Sequence, residues 1–383
     1  MRAGMIYFDQ AATSLPKPQA VIEAVAAAMT HFGNANRGGY EATLEASFSL
    51  FETRAKLARL FSFDNPERVV FTHNVTEALN MAINGLMAPG DGVITSDLEH
   101  NSVLRPLYRL ARERGVRLAF LPIDAQGALC YEKLEDLVDE KTRFLVISGA
   151  SNVTGNRTDL ARLGAFARAH QLIFIVDGAQ VAGAVPLDVQ ELGIDVFCFT
   201  GHKALLGPQG TGGLLVRPGL DIAPYTVGGT GVQSMLDHQP EELPTRLEAG
   251  TLNSHGIAGL SAALDLLLKR GIANIHAYEL GLMRRFYDGV VDLPGIRLYG
   301  DFSGDRMPIV ALNIGTVDSA LVSDALYQEF GISTRPGAHC APRLHRSMGS
   351  DHQGMVRFSF AESNQAWEID RGIEAVRALA SRL

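Results

Sequence analysis

A mainly parallel β-sheet in a large domain, followed by a smaller α+β C-terminal domain, is the α/β architecture this sequence predicts. Three observations lead there. Between about residues 68 and 217, short apolar runs alternate with amphipathic stretches, the rhythm of a parallel sheet with helices on both faces. Many of the 39 glycines stand at the junctions of those runs, where the chain must turn tightly. Past Thr226 the rhythm stops, and two long helical patterns lead into a segment of mixed strand and helix character.

In chain order, the spacing predicts a strand at 68–71 and a helix at 76–84, then a strand at 92–95 and a helix at 102–114. Strands at 117–121 and 144–147 bracket a helix near 134–138. A helix over 160–170 precedes a strand at 172–176 that runs out at Asp177, and a strand at 196–199 leads to Lys203. Residues 226–250, rich in Gly and Pro and without periodicity, read as a long functional loop. Helices follow at 256–270 and 273–293, and strand-like runs at 307–313 and 355–360 belong to the α+β remainder. On this division residues 1–15 are an N-terminal segment associated with the small domain. Residues 16–255 form the large domain, and 256–383 supply linker helices and the small C-terminal domain.

Composition excludes several function classes. The net charge is −8 with no basic run, which argues against nucleic-acid binding. No apolar stretch approaches the ~18 residues of a membrane-spanning helix, and the N-terminus carries no signal-peptide pattern. Cys130, Cys198 and Cys340 form no CxxC pair, so neither a disulfide scaffold nor a metal site is expected. A reduced, cytoplasmic protein fits that usage.

Asp177 and Lys203 each stand where an apolar strand ends, and ligands of open α/β sheets bind beyond the carboxyl ends of the strands. A lone lysine in a loop is ordinarily a surface residue. Paired with an aspartate it suits pyridoxal 5'-phosphate, which needs an amine for a Schiff base and a carboxylate to keep its ring nitrogen protonated. Lysine also becomes a nucleophile and base when burial lowers its pKa.

Other segments supply matching chemistry. His73-Asn74-Val75-Thr76 lies between a strand and a helix, where free N–H groups and a hydroxyl make an anion site, although Asn74 also reads as a plain helix cap. Thr200 and His202 add donors beside Lys203. His100 emerges at a strand end, where it can stack on a ring, and Asn152 follows another strand, either as a ligand contact or as a turn residue. Cys340 sits between two prolines in a segment that does not read as core. Its neighbours Arg335, His339, Arg343 and His345 are expected to favour the reactive thiolate over an inert surface thiol. Cys198, between two phenylalanines, reads as a buried small hydrophobe. Arg357, in a strand, has the fork geometry that binds a carboxylate.

These segments together resemble the class V aminotransferase family of fold-type I pyridoxal-phosphate enzymes, and within it the cysteine desulfurases of the SufS-type and selenocysteine-lyase-like branch. The resemblance rests on Val176-Asp-Gly-Ala-Gln180, Thr200-Gly-His-Lys203, Glu248-Ala-Gly-Thr251 and Arg335-Pro-Gly-Ala-His-Cys-Ala341. It runs from Tyr7-Phe-Asp-Gln-Ala-Ala-Thr13 to Arg357-Phe-Ser-Phe-Ala-Glu-Ser-Asn364. It implies a fold-type I transferase in which Lys203 anchors the cofactor and moves the substrate Cα proton. Asp177 would pair with the ring nitrogen, His100 would stack on the ring, and Gln180 would reach its phenolic oxygen. Val75, Thr76, Thr200 and His202 would hold the phosphate, with Thr251 contributed by the other subunit of a homodimer. Arg357 and Asn152 would grip the carboxylate of L-cysteine, and Cys340 would be the nucleophile that takes up sulfur for an acceptor protein. Two positions depart from the family pattern: Asn74-Val75 precedes Thr76 in the phosphate loop, and Ala338 stands where a histidine is usual before the cysteine loop's His339. Sibling activities on the same scaffold (selenocysteine lyase, cysteine-sulfinate desulfinase, another C–S lyase, an aminotransferase) and a catalytically silent scaffold are the alternatives.

Overall fold

The computed structural model describes residues 5–35 and 38–382; Met1–Gly4, the start of the N-terminal segment, lie outside them. The chain runs β1 (Ile6–Tyr7), α1 (Gln19–His31), α2 (Glu41–Leu60), β2 (Val69–Thr72), α3 (Val75–Leu86), β3 (Gly92–Ser96), α4 (Asn101–Arg114) and β4 (Arg117–Leu121). It continues through β5 (Thr142–Ser148), α5 (Leu160–Ala169), β6 (Ile173–Asp177), β7 (Val196–Thr200), β8 (Gly212–Val216), α6 (Ser254–Arg270) and α7 (Ile272–Val290). β9 (Ile296–Tyr299), β10 (Ile309–Ile314), α8 (Ser319–Phe330), β11 (Ile332–Ser333), α9 (Pro342–Ser347), β12 (Val356–Ser359) and α10 (Ala366–Ala380) complete it.

Seven strands form the large sheet in the order β2-β8-β7-β6-β5-β3-β4. β8 pairs antiparallel with both β2 and β7, and the other pairings are parallel. Strands β2, β3, β7 and β8 are mostly apolar because helices cover both faces of the sheet: every residue of the four is buried. Parallel β5, β6 and β7 therefore deliver Ser148, Asp177 and Thr200 to the same edge of the sheet. Gly178, just past that edge, permits a close approach, since a Cβ there would lie 2.4 Å from the Phe197 ring.

A second sheet, β12-β10-β9, is antiparallel, and β1 pairs in parallel with β11. The N-terminal segment is thereby held against the C-terminal unit, with Phe8 packed 5.1 Å from Phe360. Helix α6 packs on α1 and α2, whereas α7 packs on α10 and β10. The chain passes from one unit to the other at Gly271, which ends α6 and starts α7 at φ +81°.

Several elements differ from the expectation, among them one helix near 134–138 and two in the first 60 residues. The helix near 134–138 is a pair of 3-10 turns, Tyr131–Lys133 and Glu135–Leu137. It stops at once because Asp139 folds back, its carboxylate accepting from the Lys141 N–H at 2.8 Å. Helices α1 and α2 carry no clear apolar and polar contrast and went unread. Their outward faces hold Ile22, Met29, Leu44, Phe48 and Phe51, so hydrophobic residues lie all round them.

A buried acid marks the packing within the C-terminal unit. Glu279 of α7 accepts from the Glu362 N–H at 3.0 Å, and burial pushes its carboxyl up to about 8. An acid raised in the folded state binds more protons there than in the unfolded chain, so its contribution to stability falls as pH rises from the usual carboxyl range to about 8. Glu279→Gln should therefore gain Tm relative to the wild type between pH 5 and pH 9. Thermal melts at the two pH values check this; an equal Tm difference at both would refute it. Among the described residues no helix is long and apolar enough to cross a membrane.

Candidate active site

Beyond the carboxyl edge of β5, β6 and β7 lies a cavity of about 220 Å³. Its walls include Val75, Thr76, His100, Asn152, Asp177, Gln180, Thr200, His202, Lys203 and Arg357. Ten of the sequence-derived candidates thus meet in one place, from segments up to 282 residues apart (75 to 357).

Each wall has a local cause. Asn74 caps α3, its Oδ1 accepting from the Glu77 N–H at 3.0 Å, as the plain reading of Asn74 had it. The cap leaves the first N–H groups of α3, those of Val75 and Thr76, at a helix N-terminus that lines the cavity. Thr76 Oγ1 lies 2.8 Å from Ser102 Oγ, and the Ser102 N–H donates to His100 Nδ1 at 3.0 Å. With that lone pair engaged, the neutral ring carries its hydrogen on Nε2. Burial, helped by the charge on Lys203, holds the His100 pKa down at about 4, so the ring is neutral.

Lys203 follows β7. The carbonyl of His202 just before it accepts from Thr13 Oγ1 at 3.1 Å, the Ser14 N–H at 3.0 Å, Ser14 Oγ at 3.2 Å and Lys17 Nζ at 2.8 Å. This clamp fixes the peptide that carries the lysine. Burial pulls the Lys203 amine down to about 8, against an opposing pull from Asp177. Asp177 accepts from the Ala179 N–H at 2.9 Å, and burial raises its carboxyl above the usual range. Behind it Glu99 is wholly enclosed, receiving Ser96 Oγ at 2.5 Å and Ser148 Oγ at 2.7 Å; burial pushes it up to about 7.

The residues fit pyridoxal phosphate. Thr200 Oγ1 and His202 Nδ1 are buried beside the α3 N-terminus and have no partner in the protein, as groups awaiting an anion would be. Asp177 is a buried acid with a single backbone donor, which suits a cationic ring nitrogen, and Lys203 supplies the amine.

Other candidates are placed differently. Asn152 lines the cavity, but its amide donates to the His339 carbonyl at 2.8 Å, and its own carbonyl accepts from Arg357 Nη1 at 2.8 Å. Gln180 Nε2 donates to the Ala11 carbonyl at 3.3 Å. Thr251 is not at this cavity in its own chain; it borders a separate hollow with Gly33, Leu50 and Glu248. Cys340 is exposed, one residue from the wall formed by His339. Its carbonyl accepts from the Asn101 N–H at 2.7 Å, and both His339 and Cys340 take left-handed backbone angles, φ +50° and +58°. The cationic surroundings expected for this thiol are corrected by the structure. Arg343 is paired with Asp97 at 2.6 Å, burial holds the His339 pKa down near 3, and burial lowers that of His345 as well. Packing against core turned those histidines into neutral rings, which sequence proximity alone does not reveal.

Sequence reasoning missed Ser102, Ser148, Arg335, His339, Ala11 and Ala12 as wall residues. Ser102 had a signal, standing two residues after His100 at a helix start. Ala11 and Ala12 had none.

Comparison with known proteins gives a consistent result. The family model described as aminotransferase class-V matches residues 6–371. A probable cysteine desulfurase of Methanothermobacter thermautotrophicus is 33% identical over 382 residues, covering 98% of this chain and 94% of that one. A cysteine desulfurase of Salmonella gallinarum is 35% identical over 377 residues, 96% of this chain and 91% of the relative. Among solved structures, the apo cysteine desulfurase of Thermococcus onnurineus superposes with a TM-score of 0.93 at 30% identity, over 99% of this chain and 95% of that one. The Escherichia coli cysteine desulfurase CsdA gives 0.90 at 32% identity, over 100% and 96%.

Proposed function

Because the chain belongs to the class-V aminotransferase family, we propose that it is a pyridoxal-phosphate-dependent cysteine desulfurase. It converts L-cysteine to L-alanine and retains the sulfur as a persulfide on Cys340. The observation that carries this is the meeting of Lys203, Asp177, the α3 N-terminus and Arg357 in one cavity, with the free thiol of Cys340 beside its rim. Pyridoxal phosphate, when bound, supplies an electron sink for the negative charge at the substrate Cα. Val75, Thr76, Thr200 and His202 would hold its phosphate, Asp177 its ring nitrogen, and His100 and Gln180 its ring and phenolic oxygen.

The protein's own groups do the rest. Arg357 and Asn152 orient the substrate carboxylate, and the Lys203 amine takes the Cα proton. Cys340 Sγ then forms a bond to the substrate sulfur while the substrate Cβ–S bond breaks, and a proton completes the alanine methyl group. One thiol and L-cysteine become one persulfide and L-alanine, so no oxidant or reductant is needed; handing the sulfur to an acceptor thiol is likewise redox-neutral, and only its release as sulfide takes a reductant. A surface loop suits Cys340, which must meet both substrate and acceptor.

A homodimer completes the site. The exposed apolar residues Leu44, Phe48 and Phe51, spaced along one side of α2, make a face of the kind that associates. Thr251 borders a hollow with Leu50, outside the cavity of its own chain, which is compatible with a role at the partner's phosphate subsite. Phe48→Glu should shift the protein from dimer to monomer in light scattering and lower cofactor retention; a variant that stays dimeric with full cofactor would contradict the assignment.

Incubating the cofactor-loaded protein with L-cysteine tests the function. Alanine should appear in step with sulfide when a reductant is present, and a 32 Da mass gain should localise to Cys340 when it is absent (about one sulfur atom per thiol). No alanine under either condition defeats the proposal.

A further inference from the structure

Asp9 belongs to the N-terminal segment and to none of the roles above. Arg357 Nη2 donates to its Oδ1 at 2.6 Å, while Nη1 donates to the Asn152 carbonyl and Nε has no partner. A guanidinium has five N–H groups, so this pair leaves others for an incoming carboxylate. Arg357 is 2% exposed, and Asp9 is half-buried beside it. Arg335 lines the same cavity, so two guanidinium groups serve the carboxylate subsite, one of them already paired with Asp9.

Resting on the cysteine desulfurase reading, we propose that Asp9 sets the affinity of this subsite by weakening the hold of Arg357 on the α-carboxylate that substrate and product share. L-Cysteine and L-alanine present the same carboxylate, so a stronger grip would stabilise both alike. Such uniform binding lowers KM and slows product departure without speeding the chemistry. Asp9 occupies one edge of the guanidinium and places a like charge beside whatever carboxylate binds there. At an effective dielectric constant of about 20, a like charge roughly 6 Å away costs a bound carboxylate on the order of a hundred-fold in affinity, which solvent screening at half-buried Asp9 reduces to roughly ten-fold. Asp9 also keeps the buried Arg357 charged and aimed, since its charge opposes the effect of burial on the guanidinium. The segment around it is well tied: the Asp9 carbonyl accepts from the Ala12 N–H and from the Tyr7 hydroxyl at 3.1 Å each. These backbone bonds hold the Asp9 carboxylate in place against Arg357.

The test compares cofactor-loaded wild type, Asp9→Asn and Asp9→Ala, titrated with L-alanine and with L-alaninamide, following the cofactor's absorbance. Asp9→Asn should bind L-alanine roughly ten-fold more tightly, with L-alaninamide, which has no carboxylate, unchanged. KM for L-cysteine should fall alongside, with no gain in kcat. Asp9→Ala should also bind L-alanine more tightly than the wild type, and serves alone if the asparagine variant does not fold. Unchanged or weaker L-alanine binding overturns the proposal, as does an equal change for L-alaninamide, which would make Asp9 a general structural support. Failure of the wild type to form alanine from L-cysteine would instead defeat the desulfurase reading, and the two outcomes are read in separate measurements.

Discussion

Cys340→Ala should leave a folded, cofactor-binding protein that forms alanine from L-cysteine at least ~10³-fold more slowly than the wild type. The thiol is exposed, and the loop is held by backbone groups, the Asn101 N–H on the Cys340 carbonyl and the Asn152 amide on the His339 carbonyl. Removing Sγ therefore takes away the nucleophile while leaving the cavity walls in place. Without it the substrate's Cβ–S bond has no sulfur acceptor, although the Cα proton can still exchange with solvent through Lys203. Two measurements separate the steps: alanine formation, expected to be lost, and deuterium uptake at Cα of L-cysteine, expected to persist. Alanine formation within ten-fold of the wild type would sink the assignment of Cys340 and return the protein to a sulfinate-eliminating or transaminating sibling.

Lys203→Ala is expected to have the second large effect, a turnover loss of ~10⁴-fold or more, because one amine both tethers the cofactor and moves the proton. Borohydride reduction followed by peptide mass analysis should find the cofactor on Lys203 in the wild type and nowhere in the variant. The environment already prepares this amine, since burial brings it down to about 8 from the ordinary lysine value. Below that value the charged form dominates and cannot attack an aldehyde; above it the neutral amine dominates. The rate of cofactor capture by the cofactor-free wild type should consequently rise with pH up to about 8 and level off beyond. A variant that retains covalently bound cofactor, or a percent or more of turnover, would remove Lys203 from both roles.

Much of this site was legible along the chain because the fold class is periodic. Strands buried on both faces are continuous apolar runs, and the residue at which such a run ends must lie at the sheet's carboxyl edge. Asp177, Thr200 and Lys203 could be found that way, and Asn74 declared itself as a helix cap. The helices α1 and α2 hid because their outward faces carry Ile22, Met29, Leu44, Phe48 and Phe51, which residue by residue look like core. Thr251 lies away from the cavity of its own chain.

Charge states were the least legible part. Arg335, His339, Arg343 and His345 cluster in sequence round Cys340, yet one arginine is neutralised by Asp97 and both histidines are kept uncharged by burial. Solvation is a property of the folded surroundings, and nothing in a local motif specifies it.

What the sequence determined by itself was the alternation of strands and helices between about residues 68 and 200, the residues at the strand ends, and the chemical types gathered there. All of these follow from short-range periodicity and side-chain identity. Only the tertiary structure decided which charges meet. It set Asp9 against Arg357 across 348 positions of chain, and it converged four donors on the carbonyl before Lys203. The reason is range: hydrogen-bonding and ionic partners are selected by distance and burial in space, to which separation along the chain is indifferent.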